Sequence, residues 1–173
     1  MNNRGLHVLL ITVVFTLLNL PPFVFASDGI NEQETLRGIN TLHVMVQGLE
    51  SGLERYGLTR GKLEKDLVTK LGMAGIKVVS KKEGQMVPGG PSLTLMVGAL
   101  RAFTTKDTEF YFVSIIIKLR QNVYLERRPK NRVLGITTWS NTRFGINFAQ
   151  NIRTEVNDAV DQFINAYVAA NSK

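Results

Sequence analysis

The sequence predicts an α+β fold, a two-layer sandwich in which two amphipathic helices pack on a mostly antiparallel sheet with a long protruding hairpin. The predicted order of elements is β-α-β-β-β-β-α. Several segments alternate apolar and polar residues, which is typical of strands with one buried face. Two other segments repeat apolar residues at helical spacing.

The first half of this pattern contains a strand, a helix and a second strand. The first strand lies in INTLHVMVQGL, where Leu42, Val44 and Val46 share one face. Thr59 is the predicted N-cap of the following helix and Gly75 is its predicted stop. The apolar stripe of this helix comprises Leu63, Leu67, Val68 and Leu71. The next strand is IKVVS, and the exposed loop KKEGQMVPGGPS follows it.

The second half contains three strands and the closing helix. LTLMVGALRAF is the first of these strands, and TTKDT turns the chain into the long run Glu109–Glu126. A last strand is predicted over Val133–Phe144, and a helix over Asn147–Ala170. The residues that share one face of the long run are Tyr111, Val113, Ile115, Ile117, Leu119, Val123 and Leu125. The stripe of the closing helix comprises Ile152, Val156, Val160, Phe163, Ile164 and Tyr167.

The long run exceeds the size of the domain that contains it. At about 3.3 Å per residue, Glu109–Glu126 would extend roughly 55–60 Å, whereas a domain of this length has a radius of gyration near 15 Å, as an order of magnitude. The strand must therefore bend at a bulge or leave the core as a two-stranded arm. A turn at Arg128–Asn131, with proline second, predicts four facing pairs: Leu125 with Leu134, Val123 with Ile136, Arg120 with Trp139, and Arg127 with Arg132.

The predicted hairpin carries a concentration of positive charge, and its basic residues are the candidate partner-binding residues. They are Lys118, Arg120, Arg127, Arg128, Lys130 and Arg132. One explanation is that an exposed tip simply tolerates solvated charge. The other is that an acidic partner neutralises the tip. The preference for arginine over lysine favours recognition of carboxylate or phosphate.

The N-terminal segment has the features of a secretory signal. Arg4 provides a basic start, Val8–Leu18 is an apolar stretch, and a proline pair follows. We predict cleavage between Ala26 and Ser27, with an uncleaved membrane anchor as the alternative. The predicted organisation is therefore a signal peptide over residues 1–26, a flexible arm over 27–37 and a single α+β domain over 38–173.

Export and charge together restrict the partners. The chain has no cysteine, so neither a disulfide framework nor a lipid-modified cysteine is expected, and a bacterial periplasmic or secreted location is predicted. Loss of residues 1–26 removes one basic residue, Arg4, and no acidic one, so the net charge of +7 becomes +6. A basic exported domain favours an envelope protein or an anionic lipid or glycan, and export disfavours nucleic acid. No stable transmembrane span is expected after signal cleavage, and a homo-oligomer is an option.

The usual arrangements of catalytic residues are absent from the sequence. After residue 26 the only histidine is His43, which lies within a strand opposite the apolar face. Nucleophilic catalysis needs a base beside the nucleophile, and metal sites need clustered ligands. The sequence therefore predicts a protein that is not an enzyme and that holds no cofactor and no metal.

Two resemblances bear on this prediction. GLTRGKLEKDLVTKLGMAGIKVV, TTWS and DQFINAYVAANSK resemble the corresponding segments of small exported bacterial proteins of unknown function. The layout also resembles envelope-assembly modules, namely the N-terminal domain of TolB and the curli-secretion and lipopolysaccharide-assembly lipoproteins. The latter two families are lipidated on a cysteine, which this chain lacks. The first resemblance brings no known catalytic residues, and the second concerns architecture only, since a fold does not carry a function.

Three hypotheses follow for the function. The first is a non-catalytic periplasmic binding or adaptor protein that docks an anionic envelope partner through the basic hairpin. The second is a self-associating structural subunit that pairs through edge strands. The third is a hydrolase with an unrecognised carboxylate site.

Overall fold

The structure is a computed structural model that describes residues 24–25, 30–49, 53–104 and 109–172. The described strands are β1 Val24–Phe25, β2 Thr41–Gln47, β3 Lys77–Val79, β4 Ser92–Thr104, β5 Glu109–Leu125 and β6 Arg128–Phe148. The described α-helices are α1 Ile30–Glu34, α2 Arg60–Met73, α3 Lys81–Gly84 and α4 Ile152–Asn171. Short 3-10 helices span Glu54–Tyr56 and Ala149–Asn151.

The strands form one sheet in the order β1-β6-β5-β4-β2-β3. Strand β2 runs parallel to both β3 and β4, whereas β4, β5 and β6 pair antiparallel, as do β1 and β6. The predicted α+β sandwich with a mostly antiparallel sheet is confirmed. The predicted order of strands and helices is present, with β1, α1 and α3 in addition.

The core lies between the sheet and helices α2 and α4. The inner face of the sheet contributes the alternating apolar residues of β2, of β4 from Leu93 to Ala99 and of β5 from Tyr111 to Leu119, all of them buried. Trp139 of β6 meets Phe163 of α4 edge to face, with ring centroids 5.1 Å apart. Edge-to-face pairs of this kind add to the stabilisation that burial provides. The Phe163 ring is therefore a principal contact between the closing helix and the sheet.

Helix α2 begins and ends as its sequence predicts. The Thr59 hydroxyl accepts a hydrogen bond from the Lys62 backbone N–H, and Gly75 adopts φ +82° just beyond the end of the helix. Its buried residues are Leu63, Leu67 and Leu71. The prediction that Val68 widens this stripe is wrong, because Val68 is 38% exposed. The buried stripe is therefore narrower than predicted.

Two segments for which the sequence predicts irregular structure contain short helices. Residues 30–34, within the predicted flexible arm, form α1, and Leu36 just after it is fully buried in the core. Residues 81–84, within the predicted exposed loop, form α3 behind a capping box in which Ser80 and Glu83 bond reciprocally. The predicted cleavage site between Ala26 and Ser27 lies outside the described residues. Among the described helices, none is long and apolar enough to cross a membrane.

The long hairpin leaves the sheet as a two-stranded arm. Arg120 is the last β5 residue that pairs with β4, opposite Ser92, so residues 121–136 extend beyond that strand. The predicted register of the arm is wrong. The turn comprises residues 126–127, and β6 already begins at Arg128. The observed partners are Leu125 with Arg128, Tyr124 with Arg132, Val123 with Val133, Gln121 with Ile136, Arg120 with Thr137 and Leu119 with Trp139.

Irregularities in the ladder account for this difference. The register shifts between Leu119 and Arg120, between Gln121 and Val123, and between Tyr124 and Leu125. Each shift changes which residues of β6 oppose β5, because an extra residue on one strand displaces all later pairs. The predicted contact between Arg120 and Trp139 is therefore wrong. Trp139 is buried on the inner face, whereas Arg120 is exposed.

Candidate functional site

A groove of about 610 Å³ lies on the outer face of the sheet, between helix α3 and the base of the arm. We call it the basic groove. Its charged or titratable lining residues are His43, Lys81, Arg120 and Arg132, and no aspartate or glutamate is among the described lining residues. The remaining lining residues are Met45, Gly84, Gln85, Gly90, Pro91, Ser92, Asn122, Leu134 and Gly135.

The guanidinium of Arg120 is held in the groove by the backbone of the arm. Its Nε donates a hydrogen bond to the carbonyl oxygen of Gly135 at 2.8 Å. The Gly135 N–H in turn donates to Asn122 Oδ1 at 2.9 Å. Gly135 adopts φ +62°, a conformation that favours glycine, and a Cβ there would lie 3.3 Å from Arg120 Nη2. This residue therefore lets the arm approach the arginine closely.

Helix α3 forms the opposite wall and brings Lys81 to the groove. It can lie on strand β2 because Gly84 has no side chain, since a Cβ at Gly84 would come within 2.8 Å of the His43 Cβ. The His43 ring is half-buried, with Nδ1 3.3 Å from the Val79 carbonyl oxygen. That contact fits the tautomer in which Nδ1 donates. His43 therefore lies at the junction of β2, β3 and α3.

The structure separates the six predicted binding residues into three positions. Arg120 and Arg132 line the basic groove. Lys118 is half-buried on the same outer face of β5, opposite Thr94 and Ser140. The other three, Arg127, Arg128 and Lys130, are exposed at the tip of the arm. Arg127 does not face Arg132, which pairs with Tyr124 instead.

None of these six residues forms an ion pair within the described part of the chain. The ion pairs present there involve other cations, such as Arg153 with Asp66 and Lys70 with Asp161. Because Arg120 and Arg132 converge without a carboxylate between them, their charges remain available to an anion. The arrangement is therefore suited to binding carboxylate or phosphate groups.

The sequence pattern does not indicate that Lys81 and His43 belong to a site, although both line the basic groove. Their position depends on the parallel pairing of β2 with β4, which brings His43 beside Ser92 and so into the row that contains Arg120. The capping box Ser80-Lys81-Lys82-Glu83 was a signal that could have predicted α3. No group of three or more side chains that could hold a metal ion occurs among the described residues.

A second groove, of about 640 Å³, lies farther along the same outer face. Its floor contains Gly98 and Ser114, which are small and pair with each other across β4 and β5. Its exposed apolar residues are Leu100, Phe112, Phe144 and Ile146. We call these four residues the outer apolar patch. The outer face thus carries basic residues at one end and apolar residues at the other.

A hydrogen-bonded cluster around Glu109 lies at the start of β5, and Glu109 lines neither groove. Glu109 accepts hydrogen bonds from the Tyr56 hydroxyl at 2.7 Å and the Tyr111 hydroxyl at 2.9 Å, and pairs with Arg55. The hydrogen bonds from Tyr56, Tyr111 and Arg55 lower the pKa of Glu109 from 4.5 to about 2. The cluster joins the 3-10 helix to the sheet.

We expect this cluster to make the stability of the fold sensitive to acid. Because the folded pKa of Glu109 lies below its ordinary value, the stabilisation is present above pH 4.5 and is lost as the pH falls towards 2. The variant Glu109→Gln should therefore lose less thermal stability between pH 7 and pH 3, each taken as an approximate working value, than the wild type does. The control is Glu64→Gln, since Glu64 is exposed on α2. An unchanged pH dependence in Glu109→Gln would contradict the assignment.

Comparison with known proteins finds solved structures that resemble this one but no protein that matches by sequence. No protein family and no curated protein matches the sequence. A PelC dodecamer from Paraburkholderia phytofirmans superimposes with a TM-score of 0.50 at 12% identity, covering 85% of this chain and 98% of that chain. This superposition shows that the two chains share a fold.

Two other solved structures align over most of their length with lower scores. A neuraminyllactose-binding hemagglutinin homolog from Helicobacter pylori aligns with a TM-score of 0.44 at 14% identity, covering 86% of this chain and 92% of that chain. A minor lipoprotein from Acinetobacter baumannii aligns with a TM-score of 0.30 at 9% identity, covering 76% of this chain and 93% of that chain.

Proposed function

We propose that this protein is a non-catalytic binding module of the bacterial cell envelope that docks an anionic partner at the basic groove and along the arm. The observation that carries the proposal is the convergence of Lys81, Arg120 and Arg132 around one groove with no acidic residue among its described lining residues. Guanidinium groups bind carboxylate and phosphate in paired hydrogen bonds, so this arrangement selects for anions.

The proposed location depends on the N-terminal sequence. Arg4, the apolar stretch Val8–Leu18 and the small residue Ala26 together form a pattern typical of secretory signals. We propose cleavage between Ala26 and Ser27 and residence in the periplasm or outside the cell. Mass spectrometry of the protein purified from a periplasmic extract tests this directly, because it reports the first residue of the mature chain.

The contribution of the basic groove can be separated from that of the tip by two variants with the same change in charge. We expect Arg120→Gln with Arg132→Gln to weaken binding to inorganic polyphosphate by about tenfold or more, since each lost hydrogen bond to a charged group costs roughly 1.5–3 kcal/mol. The matched variant, Arg127→Gln with Arg128→Gln, removes two charges from the exposed tip and should weaken binding less. Isothermal titration at low and moderate salt measures both.

The salt dependence distinguishes specific from general attraction. Both double variants remove two exposed charges, so salt weakens the long-range part of each loss to the same extent. The part of the affinity difference that comes from direct contacts in the groove should therefore persist at moderate salt. Equal affinities for wild type and both variants would refute the proposed function, and equal losses in both would place the binding in the general charge of the arm.

A self-associating structural subunit is the second candidate. The outer edge of β6 pairs with β1 at Phe144 and Arg143 only, within the described residues, so most of this long strand presents an open edge. One solved structure that shares the fold is itself a dodecamer of PelC. Light scattering after size-exclusion chromatography tests this candidate. A monomer at low and moderate salt would exclude it, and a salt-insensitive oligomer would support it.

A further inference from the structure

We propose that the outer face of the sheet lies on an anionic lipid bilayer, with the outer apolar patch in the interfacial region and the basic residues against the headgroups. This inference rests on the proposed function and names its partner as a lipid surface. The observation that carries it is that the outer apolar patch and the basic residues Lys118 and Arg120 lie on one face of the sheet formed by β4, β5 and β6.

The outer apolar patch is large and solvent-exposed. Leu100 is 66% exposed, Phe112 53%, Phe144 54% and Ile146 44%. Leu100, Phe112 and Ile146 are direct neighbours across the three strands, and Phe144 lies in the adjacent row. Monomeric proteins seldom expose adjacent large apolar residues unless the patch binds something. Phenylalanine at such a position enters the boundary between headgroups and acyl chains.

The basic residues face the same direction as the patch. Side chains alternate along a strand, so Phe112, Lys118 and Arg120 all project from the outer face of β5. Phe112 and Arg120 lie about 26 Å apart along the strand, at roughly 3.3 Å per residue. The apolar patch and the basic residues of β5 therefore lie on the same side of the sheet, within reach of one extended surface.

The charge of this face identifies the partner as a lipid surface. The outward residues between the patch and the groove are Thr94, Met96, Ile116, Lys118, Ser140 and Thr142, none of them acidic. A second copy packed through the same face would therefore bring basic residues against basic residues, with no acidic residue in these rows to match them. A soluble polyanion would leave the apolar patch in water. An anionic bilayer satisfies both surfaces, because it offers negative headgroups and an apolar interior.

The test uses vesicles and protein purified from a periplasmic extract. We expect the wild type to sediment with vesicles of phosphatidylglycerol and phosphatidylcholine in equal parts and not with vesicles of phosphatidylcholine alone. We expect Phe112→Ser with Phe144→Ser to reduce the partition coefficient at moderate salt by about tenfold or more. The matched control is Met73→Ser with Val168→Ser, which removes two exposed apolar residues from α2 and α4 on the helical side of the sheet.

The outcomes separate this inference from the proposed function. Vesicle binding that is lost in the phenylalanine variant but retained in the control supports the inference, provided that polyphosphate affinity is unchanged in both. Wild-type protein that binds polyphosphate but not anionic vesicles overturns the inference and leaves the proposed function intact. Vesicle binding unaffected by the loss of Phe112 and Phe144 also overturns it.

Self-association gives the remaining outcome. If light scattering shows a wild-type oligomer that becomes a monomer in the phenylalanine variant, the patch is covered by a second copy and the lipid inference is wrong. If Arg120→Gln with Arg132→Gln leaves binding to both polyphosphate and anionic vesicles unchanged, the proposed function and the inference fail together.

Discussion

Replacing Phe163 by alanine is expected to lower the free energy of unfolding by about 3–5 kcal/mol, the usual cost of truncating a buried aromatic residue. Phe163 is 1% exposed and packs edge to face against Trp139, which is also 1% exposed. The substitution removes this contact and leaves a cavity between α4 and the sheet. Urea denaturation followed by circular dichroism measures the change.

The control for this prediction is a phenylalanine on the other face of the sheet. Phe112→Ala removes a side chain that is 53% exposed, so the expected loss is below about 1 kcal/mol. Similar losses in the two variants would contradict the assignment of inner and outer faces. A small loss in Phe112→Ala would also show that a substitution in the outer apolar patch leaves a folded protein, as the vesicle experiment requires.

The second large effect is expected in helix α2. Leu71 is fully buried, so Leu71→Ala should cost about 2–5 kcal/mol, because it removes apolar contacts and the surrounding residues relax only in part. Val68 is 38% exposed, and Val68→Ala should change the stability by no more than about 0.5 kcal/mol. Alanine also has the higher helix propensity. Denaturant titration of both variants measures the difference.

A large loss in Val68→Ala would show that the helix is rotated about its axis relative to this structure. That outcome would restore the wider apolar stripe that the sequence pattern predicts. The comparison is sensitive because the two positions are three residues apart and therefore differ by only part of a helical turn.

The elements with strong periodicity could be predicted from the sequence because each depends on local repetition. The alternation from Tyr111 to Leu119 predicts the buried face of β5, and those residues are buried. The spacing of Ile152, Val156, Val160 and Phe163 predicts the buried side of α4, which the structure confirms. Val123 and Leu125, which the same alternation places on this face, are only half-buried, because the register shifts beside them and such bulges depend on the partner strand.

The candidate site was only partly predictable for a related reason. Arg120 and Arg132 are near the proline of the hairpin, so their charge is visible in one short segment. His43 and Lys81 lie far from that segment in sequence and reach the groove through the parallel pairing of β2 with β4 and through the packing of α3. Long-range pairing is a property of the whole sheet, and no local pattern encodes which strands become neighbours.

By itself, the sequence determined the α+β class, the buried faces of the regular elements and the concentration of basic residues, because periodicity and composition act locally. Only the tertiary structure decided that the outer face of the sheet is open, that Arg120 and Arg132 share a groove with Lys81, and that Phe112 lies beside Leu100 and Ile146. These features depend on strand order and register, which are set by the packing of the whole chain.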